Sequence, residues 1–518
     1  MNKVSVLDTT LRDGAQSQGV QFSQADRVAV SRLLDELGVD YIEAGNPHSS
    51  PADAAFFANP PALSHSRLTA FGATCRKDTR PEDDAGIAAL LAAGTETIAI
   101  FGKCWLLHVS DVLGCSAAEN LSMIERSAAF LRERGREVIF DAEHFFDGYA
   151  ENPEYALDVL RAAARGGASI LTLCDTRGGR LPDEISRAVG AAVPLFSQII
   201  GIHSHDDCGM ADANSVMAVL SGARHVQGTM GELGERCGNA SLPSVIPSLQ
   251  LKRSFFLLPD SSLSRLTHAA RAVADIANLS VPAGAPYVGM NAFAHKAGMH
   301  VDAVMKNSVT FEHVPPESVG NSRRFITSDM AGRSLVLPWV QKLRPDIRRN
   351  SPEVAALLAD LKEREADGFS YEAADASFEL LVRRHMGMHT PHFELLQMKT
   401  ISEQPIRDDQ TATAIIKVRV GGSEELSAGQ GDGPVHALDR ALRRALEVFY
   451  PEVGDMRLTD YKVRVLNPRE GTAARVRVLI TSVAGAEQWT TVGVSSDIIT
   501  ASWQALSDSI EYKLIQRA

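Results

Sequence analysis

The chain has 518 residues, and its 52 lysines and arginines against 64 aspartates and glutamates leave a formal charge of −12 with histidine neutral. An ordinary hydrophobic content of 45% excludes a disordered or collagen-like chain, and a negative balance without a long basic block lacks the footprint of a general nucleic-acid or anionic-membrane binder. No apolar run of about 18 residues or signal-like start is seen, and six scattered cysteines, none in a C-x-x-C pair, fit reduced thiols, so a cytoplasmic chain is expected.

At roughly 150 residues per domain the length accommodates about three domains. From the start to about Leu258 one rhythm repeats: a short apolar, β-branched run, a polar turn, and an amphipathic helical stretch. The predicted strands are VSVLDT, DYIEAG, RLTAFGA, TIAIFG, EVIFDAE, SILTLCDT, IIGIHSH and HVQGTMG, separated by segments such as QADRVAVSRLLDELG and NPEYALDVLRAAARGG. About eight β/α units in about 250 residues match the size of a closed α/β barrel of the (β/α)8 TIM type. An open doubly wound sheet usually carries a glycine-rich phosphate turn after its first strand, and LDTTLRDGAQ is not one.

After Phe255, SSLSRLTHAARAVADIANL predicts a helix, which PAGAPYVG breaks. SPEVAALLADLKEREADG and SYEAADASFELLVRRHMG read as two charged, exposed-face helices bridging larger bodies. From about Phe393 alternating strands (FELLQMKTIS, ATAIIKVRV, YKVRVLN, ARVRVLITS, QWTTVGVS) accompany two helices, HALDRALRRALEVFY and IITASWQALSDSIEYKLIQ, an α+β module. The expected layout is a barrel over 1–270, a helical linker subdomain over 271–385 and a C-terminal α+β domain over 386–518. The only internal repetition visible is the βα rhythm.

A barrel of this kind builds its active site where strands end. Those positions here are Arg12 and Asp13 after strand one, Glu43 on strand two, Glu143 on strand five, Thr176 on strand six, His203 and His205 on strand seven, and Asn239 after strand eight. His203 and His205 stand one residue apart on a strand, so both imidazoles face one way and can reach one ion. With a carboxylate oxygen from Asp13 and an amide oxygen from Asn239 they predict a mixed N/O site for Mg²⁺, Mn²⁺ or Zn²⁺ that polarises a carbonyl. An isolated H-x-H is more often a chance pair, but convergence on one rim reverses that reading. Arg12 is placed to stabilise negative charge on the carbonyl oxygen, with a surface salt bridge as its alternative. Glu43 and Glu143 are either functional or partners of Arg12 or a histidine. Cys208 and Cys237, close to these residues in sequence, read as small hydrophobes rather than zinc thiolates.

The runs LDTTLRDGAQSQGVQFS, YIEAGNP, FDAEHFFDGYAENPEYAL, TLCDTRGGRLPDE, GIHSHDD, GERCGNASL and AHKAGMHVDAV resemble the 2-isopropylmalate, homocitrate and citramalate synthase family, acyl-CoA-dependent barrel enzymes related to metal-dependent lyases. The resemblance covers nearly the whole chain, and IFGKCWLLHV, FDAEHFFDG and AGQGDGPVHALDRALRRAL look most like the citramalate-synthase-like branch. It implies that Asp13, His203 and His205 bind the divalent metal with Asn239 near or on it, and that Arg12 steadies the oxyanion. It implies that Gln16 and Thr176 contact a 2-oxo acid, Thr176 through the acid's carboxylate. Glu143 and His300 match the acid/base pair, and Glu43 matches a retained carboxylate. His300 lies in the linker region, so it has to be carried in from there or from a second subunit.

The C-terminal module resembles the family's regulatory domain. Its GDGPV turn (Gly431, Asp432, Gly433, Pro434, Val435) either offers backbone N–H groups to a carboxylate effector such as an amino acid, or simply starts a helix. A homodimer is implied. The reaction expected from the resemblance is a Claisen condensation of acetyl-CoA with a 2-oxo acid, pyruvate giving (R)-citramalate and CoA. The alternatives are isopropylmalate- or homocitrate-type synthesis from another 2-oxo acid, or acyl-CoA lyase cleavage. A biotin-dependent carboxyltransferase is disfavoured because no lysine suited to carbamylation stands out at the rim, and a non-catalytic amino-acid sensor because the Asp13, His203 and His205 set is intact. Three positions depart from the family pattern: Asp206 replaces a common Asn and is expected to add negative charge beside the metal, Thr310 or Phe311 falls where a tyrosine is frequent, and AGRS at Ala331 replaces SGRS.

Overall fold

Eight short strands close into a parallel barrel in sequence order: β1 (Ser5–Asp8), β2 (Tyr41–Glu43), β3 (Arg67–Ala73), β4 (Thr97–Lys103), β5 (Glu137–Glu143), β6 (Ile170–Asp175), β7 (Ile199–Ser204) and β8 (His225–Gly228), with β8 pairing back onto β1. The structure, a computed structural model, describes residues 2–295, 298–325, 333–348, 350–371, 374–402, 412–466, 474–485 and 487–516. By contacts it divides into two units, Met1–Phe293 with Glu312–Arg323, and Ala294–Phe311 with Arg324–Ala518.

The two-residue period of the strands sorts the barrel side chains. Val6, Ile42, Ile98, Phe140, Leu171 and Ile202 join the large core shared with the surrounding helices, whereas their neighbours Leu7, Tyr41, Ala99, Ile139 and Ile170 form a separate small cluster inside the barrel. Two residues further along the same inner rows stand Glu43, Asp141 and Thr172, all buried. The interior thus changes from apolar to ionisable toward the strand ends. The surrounding helices have ordinary boundaries: Gln24–Leu37 starts at a reciprocal Ser23–Asp26 capping box and stops at Gly38, whose φ of 87° only glycine adopts freely. A pair of two-residue strands, Asn2–Lys3 and Phe255–Phe256, adds a small parallel sheet outside the barrel.

The second unit contains two three-stranded antiparallel sheets, each followed by a helix. Glu394–Ser402, Ala412–Val420 and Ser423–Gly431 precede the helix Pro434–Glu447; Arg457–Val465, Val476–Ala484 and Glu487–Ser495 precede Ile498–Ile515. This βββα repeat is an internal repetition the sequence pattern hides. Its third strand, SEELSAGQG, has no apolar alternation because a helix lies directly on it: a Cβ at Gly429 would stand 2.6 Å from the Ala441 nitrogen. A second reading also changes. The helix Asp375–His385 is not an exposed-face bridge; residues 376–382 are buried, and its Ser377 hydroxyl receives the Val492 N–H and donates to Asp508 within the same unit. Arginines at its C-terminal end supplied the charge that suggested exposure. Among the described residues no helix is long and apolar enough to cross a membrane.

Candidate active site

The chain leaving β1 turns at once. The amides of Arg12, Asp13 and Gly14 all donate to the Thr9 carbonyl, and buried Asp8 accepts from the Thr10 amide at 2.9 Å and its hydroxyl at 3.1 Å. Asp13 Oδ2 then lies 3.6 Å from His203 Nε2 and 4.0 Å from His205 Nε2, and the two ring nitrogens are 3.4 Å apart. His205 Nδ1 is 3.2 Å from the Gly238 carbonyl, which fixes the N–H there and turns the Nε2 lone pair toward Asp13. Gly238 is required for that approach: its φ is 89°, and a Cβ would come within 1.8 Å of the Glu232 oxygen.

Burial, then the neighbouring His205 and Arg12, press the His203 imidazolium down to about 3, and burial also lowers His205, so both rings are neutral at physiological pH and offer lone pairs. Burial alone would raise Asp13, yet the Arg12 charge and nearby partners outweigh it and hold the carboxyl below its ordinary range. Asn239 donates from Nδ2 to the Leu233 carbonyl at 2.9 Å, while its buried Oδ1 has no protein partner. Two neutral imidazoles, an anionic carboxylate and a partnerless amide oxygen fit a divalent ion of the N/O type.

Arg12 links this trio to the barrel interior. Its Nε donates to Glu43 at 2.6 Å, its Nη1 to Asp13 at 3.1 Å, and its guanidinium lies 3.9 Å over the Phe71 ring. Burial pushes Glu43 up to about 7 against the pull of that cation. Arg12, Asp13, Gln16, Glu143, Thr176, His203 and His205 line one cavity of about 300 Å³, walled in part by Phe71 and Phe101. Glu43, fully buried, reaches it through Arg12, and Asn239 through Asp13. Thr176 is fixed at both ends: its hydroxyl accepts the His144 amide and its carbonyl the Arg236 guanidinium, each at 2.8 Å.

Matches along the chain identify its relatives. Residues 3–273 match the HMGL-like family, 287–367 the homocitrate synthase post-HMGL domain-like family, and 372–514 the LeuA allosteric (dimerisation) domain. An (R)-citramalate synthase from Aquifex aeolicus is 48% identical over 99% of this chain and 98% of its own length, and one from Synechocystis is 46% identical over 98% and 96%. A probable 2-isopropylmalate synthase from Methanopyrus kandleri is 30% identical over 97% of both chains. The chain belongs to the citramalate and 2-isopropylmalate synthase family.

Several groups in this family member escaped sequence reasoning. Lys103, at the end of β4, ion-pairs with Glu143, so the rim does hold a lysine; the sequence reading ended that strand before it. Arg236 grips Asp207 with two bonds of 2.8 and 2.9 Å and so ties the GERCGNASL loop to the segment that follows β7. Gln227 donates to Asp141 at 2.8 Å and to Thr172 at 3.2 Å, while its Oε1 and the buried His203 Nδ1 have no hydrogen-bond partner among the described residues. Nothing short of the period-two rule along HVQGTMG could have pointed to it.

Asp206 follows His205 directly, and its carboxylate accepts the Ala211 amide at 2.8 Å at the start of the following helix, while the Asp13 cluster does not include it. Cys208 and Cys237 are exposed, not the buried small hydrophobes expected, and neither belongs to the Asp13, His203 and His205 trio. His300 lies in the second unit, on Gly298–Lys306, exposed, with its ring 4.1 Å from that of Phe311, one of the two residues that fall where a tyrosine is frequent. Ala331 lies outside the described residues. At the GDGPV turn Gly433 caps the helix, Pro434 occupies its first position, and Asp432 lies 3.3 Å from His436.

Proposed function

We propose that the chain condenses acetyl-CoA with pyruvate and water to give (R)-citramalate and CoA. The observation that carries this reading is the Asp13, His203 and His205 cluster opening, together with Arg12, into a cavity of about 300 Å³, in a chain alignable end to end with (R)-citramalate synthases. Asp13, His203 and His205, with Asn239 beside them, would hold a divalent ion, whose positive charge would polarise the acceptor ketone. Thr176 binds the acceptor's carboxylate, and Gln16 contacts the same acid. Arg12, held by Glu43 and Phe71, is positioned against the negative charge that develops on the ketone oxygen as the new C–C bond forms.

A base removes a proton from the acetyl methyl, and the resulting carbanion attacks the ketone carbon. Glu143, oriented by Lys103, and His300 are the acid/base candidates. Hydrolysis of the thioester then releases CoA and drives the sequence forward. Phe71 and Phe101 crowd the cavity with two rings stacked 5.4 Å apart, which favours an acceptor as short as pyruvate over the branched or dicarboxylic acids of the sister synthases. The C-terminal unit is the regulatory module, with the Gly431, Asp432, Gly433 turn meeting the carboxylate of an amino-acid effector, and the working form is a homodimer.

Thiol release tests the reading. Chelator-stripped protein reloaded in turn with Mg²⁺, Mn²⁺ or Zn²⁺ is assayed with acetyl-CoA and pyruvate, 2-oxobutyrate, 2-oxoisovalerate, 2-oxoglutarate or oxaloacetate. Pyruvate is expected to be turned over fastest, and only with metal present. A preference for 2-oxoisovalerate moves the chain to the isopropylmalate branch, and cleavage of a hydroxyacyl-CoA without any condensation makes it a lyase.

A further inference from the structure

The second unit brings two histidines and a glutamate together that no step above uses. His389 and His392 stand in the loop between Asp375–His385 and Glu394–Ser402 with Pro391 between them, and Glu511 lies near the end of Ile498–Ile515. The Glu511 carboxylate divides its duties. Its Oε1 accepts the His392 backbone N–H at 2.9 Å, while Oε2 faces both rings, 2.7 Å from His392 Nδ1 and 3.1 Å from His389 Nε2. The side chains of His389 and Glu511 are 1% and 5% exposed, that of His392 26%. One donor atom from each residue lies within 4.8 Å of the other two, the criterion that the barrel trio also meets.

We propose that His389, His392 and Glu511 form a second divalent-metal site, separate from the barrel trio and suited to Zn²⁺. Two imidazoles and one carboxylate are a zinc donor set, and the partly exposed His392 leaves a fourth position for water. The bond from the His392 amide holds the carboxylate by one oxygen and leaves the other to the ion, as outer-shell partners commonly do. Proline between the histidines restricts the loop, so presenting both rings loses little backbone freedom. Zinc bonds of about 2.0–2.1 Å set neighbouring donors about 3.3 Å apart, so an entering ion moves the rings back from Oε2 by a few tenths of an ångström. The bound ion staples this loop to the last helix. In the competing arrangement both rings donate N–H to Oε2 and no ion binds.

Metal stoichiometry decides between them, independently of the reaction proposed above. Full-length protein, stripped with chelator, re-equilibrated with Zn²⁺ and gel-filtered, is expected to retain two equivalents per chain by mass spectrometry. His203→Ala is expected to retain one, and its melting temperature to rise on Zn²⁺ addition. Adding His392→Gln, which keeps an amide donor for Glu511 but removes the ligand, is expected to abolish both the retained ion and that rise. Equal melting of the chelated single and double variants shows that the fold is kept; where it is not, His389→Gln in the same background is read in the same way. A single equivalent in the wild type that disappears in His203→Ala, or a second equivalent that survives both histidine substitutions, overturns the proposal.

Discussion

A metal ligand has to present a lone pair, and at His203 burial secures it by holding the ring neutral far below physiological pH. Gln227, anchored by Asp141 and Thr172, is the buried polar neighbour of that ring. Gln227→Leu is therefore expected to weaken divalent-ion binding at the barrel by about 10–100-fold, measured by titration calorimetry on the stripped protein; unchanged affinity would remove Gln227 from the site. Asp8 makes a pH prediction. Burial pushes its carboxyl from 3.8 up to about 7 despite its bonds from Thr10. Between those values the folded chain keeps a proton that the unfolded chain has lost, so this contribution to stability is complete below about pH 4 and is lost as pH rises through about 7. Asp8→Asn, with no such proton, should gain on the wild type in urea midpoint across that window and level off above it. A gap that does not change with pH contradicts the assignment. Among single residues, Arg12, Asp13, His203 and His205 were legible because strand ends and an H-x-H spacing point at them. Lys103, Gln227 and Arg236 were not, because each acts through a partner far away in the chain.

At the scale of elements, the barrel strands were legible from their apolar runs, and the inner rows follow from alternation alone. The turns that aim the ligands were legible only as motifs. In GERCGNASL nothing in the composition says that Gly238 must hold a positive φ against the Glu232 carbonyl while offering its own to His205. Gly238→Ala is expected to displace that turn and lower barrel metal affinity by on the order of 10-fold or more, while circular dichroism keeps the barrel's helical signal. Retained affinity would mean that the turn tolerates a side chain. The strand Ser423–Gly431 was missed for the opposite reason: its glycines answer to the helix packed on them, a tertiary demand that strand propensity does not express.

For the molecule as a whole, the two units carry different duties under the proposed reading, chemistry in the barrel and control with assembly in the βββα repeat. Ile401, Leu426, Val463 and Val465 remain exposed on the sheets of the second unit, apolar area that suits a partner copy. Light scattering coupled to gel filtration is expected to give twice the chain mass, and a monomer at micromolar concentration would contradict the dimer. His300 falls in the other unit from the barrel, and its proposed acid/base role carries no local signal in the sequence beyond the family motif around it. The most direct test of the central claim is to follow acetyl-CoA and pyruvate with stripped protein, before and after adding a divalent ion, and identify the product by chiral chromatography. The account predicts CoA and (R)-citramalate in equal amounts only after metal addition, and neither from His203→Ala. Equal product formation by the stripped enzyme, or by His203→Ala, would contradict it.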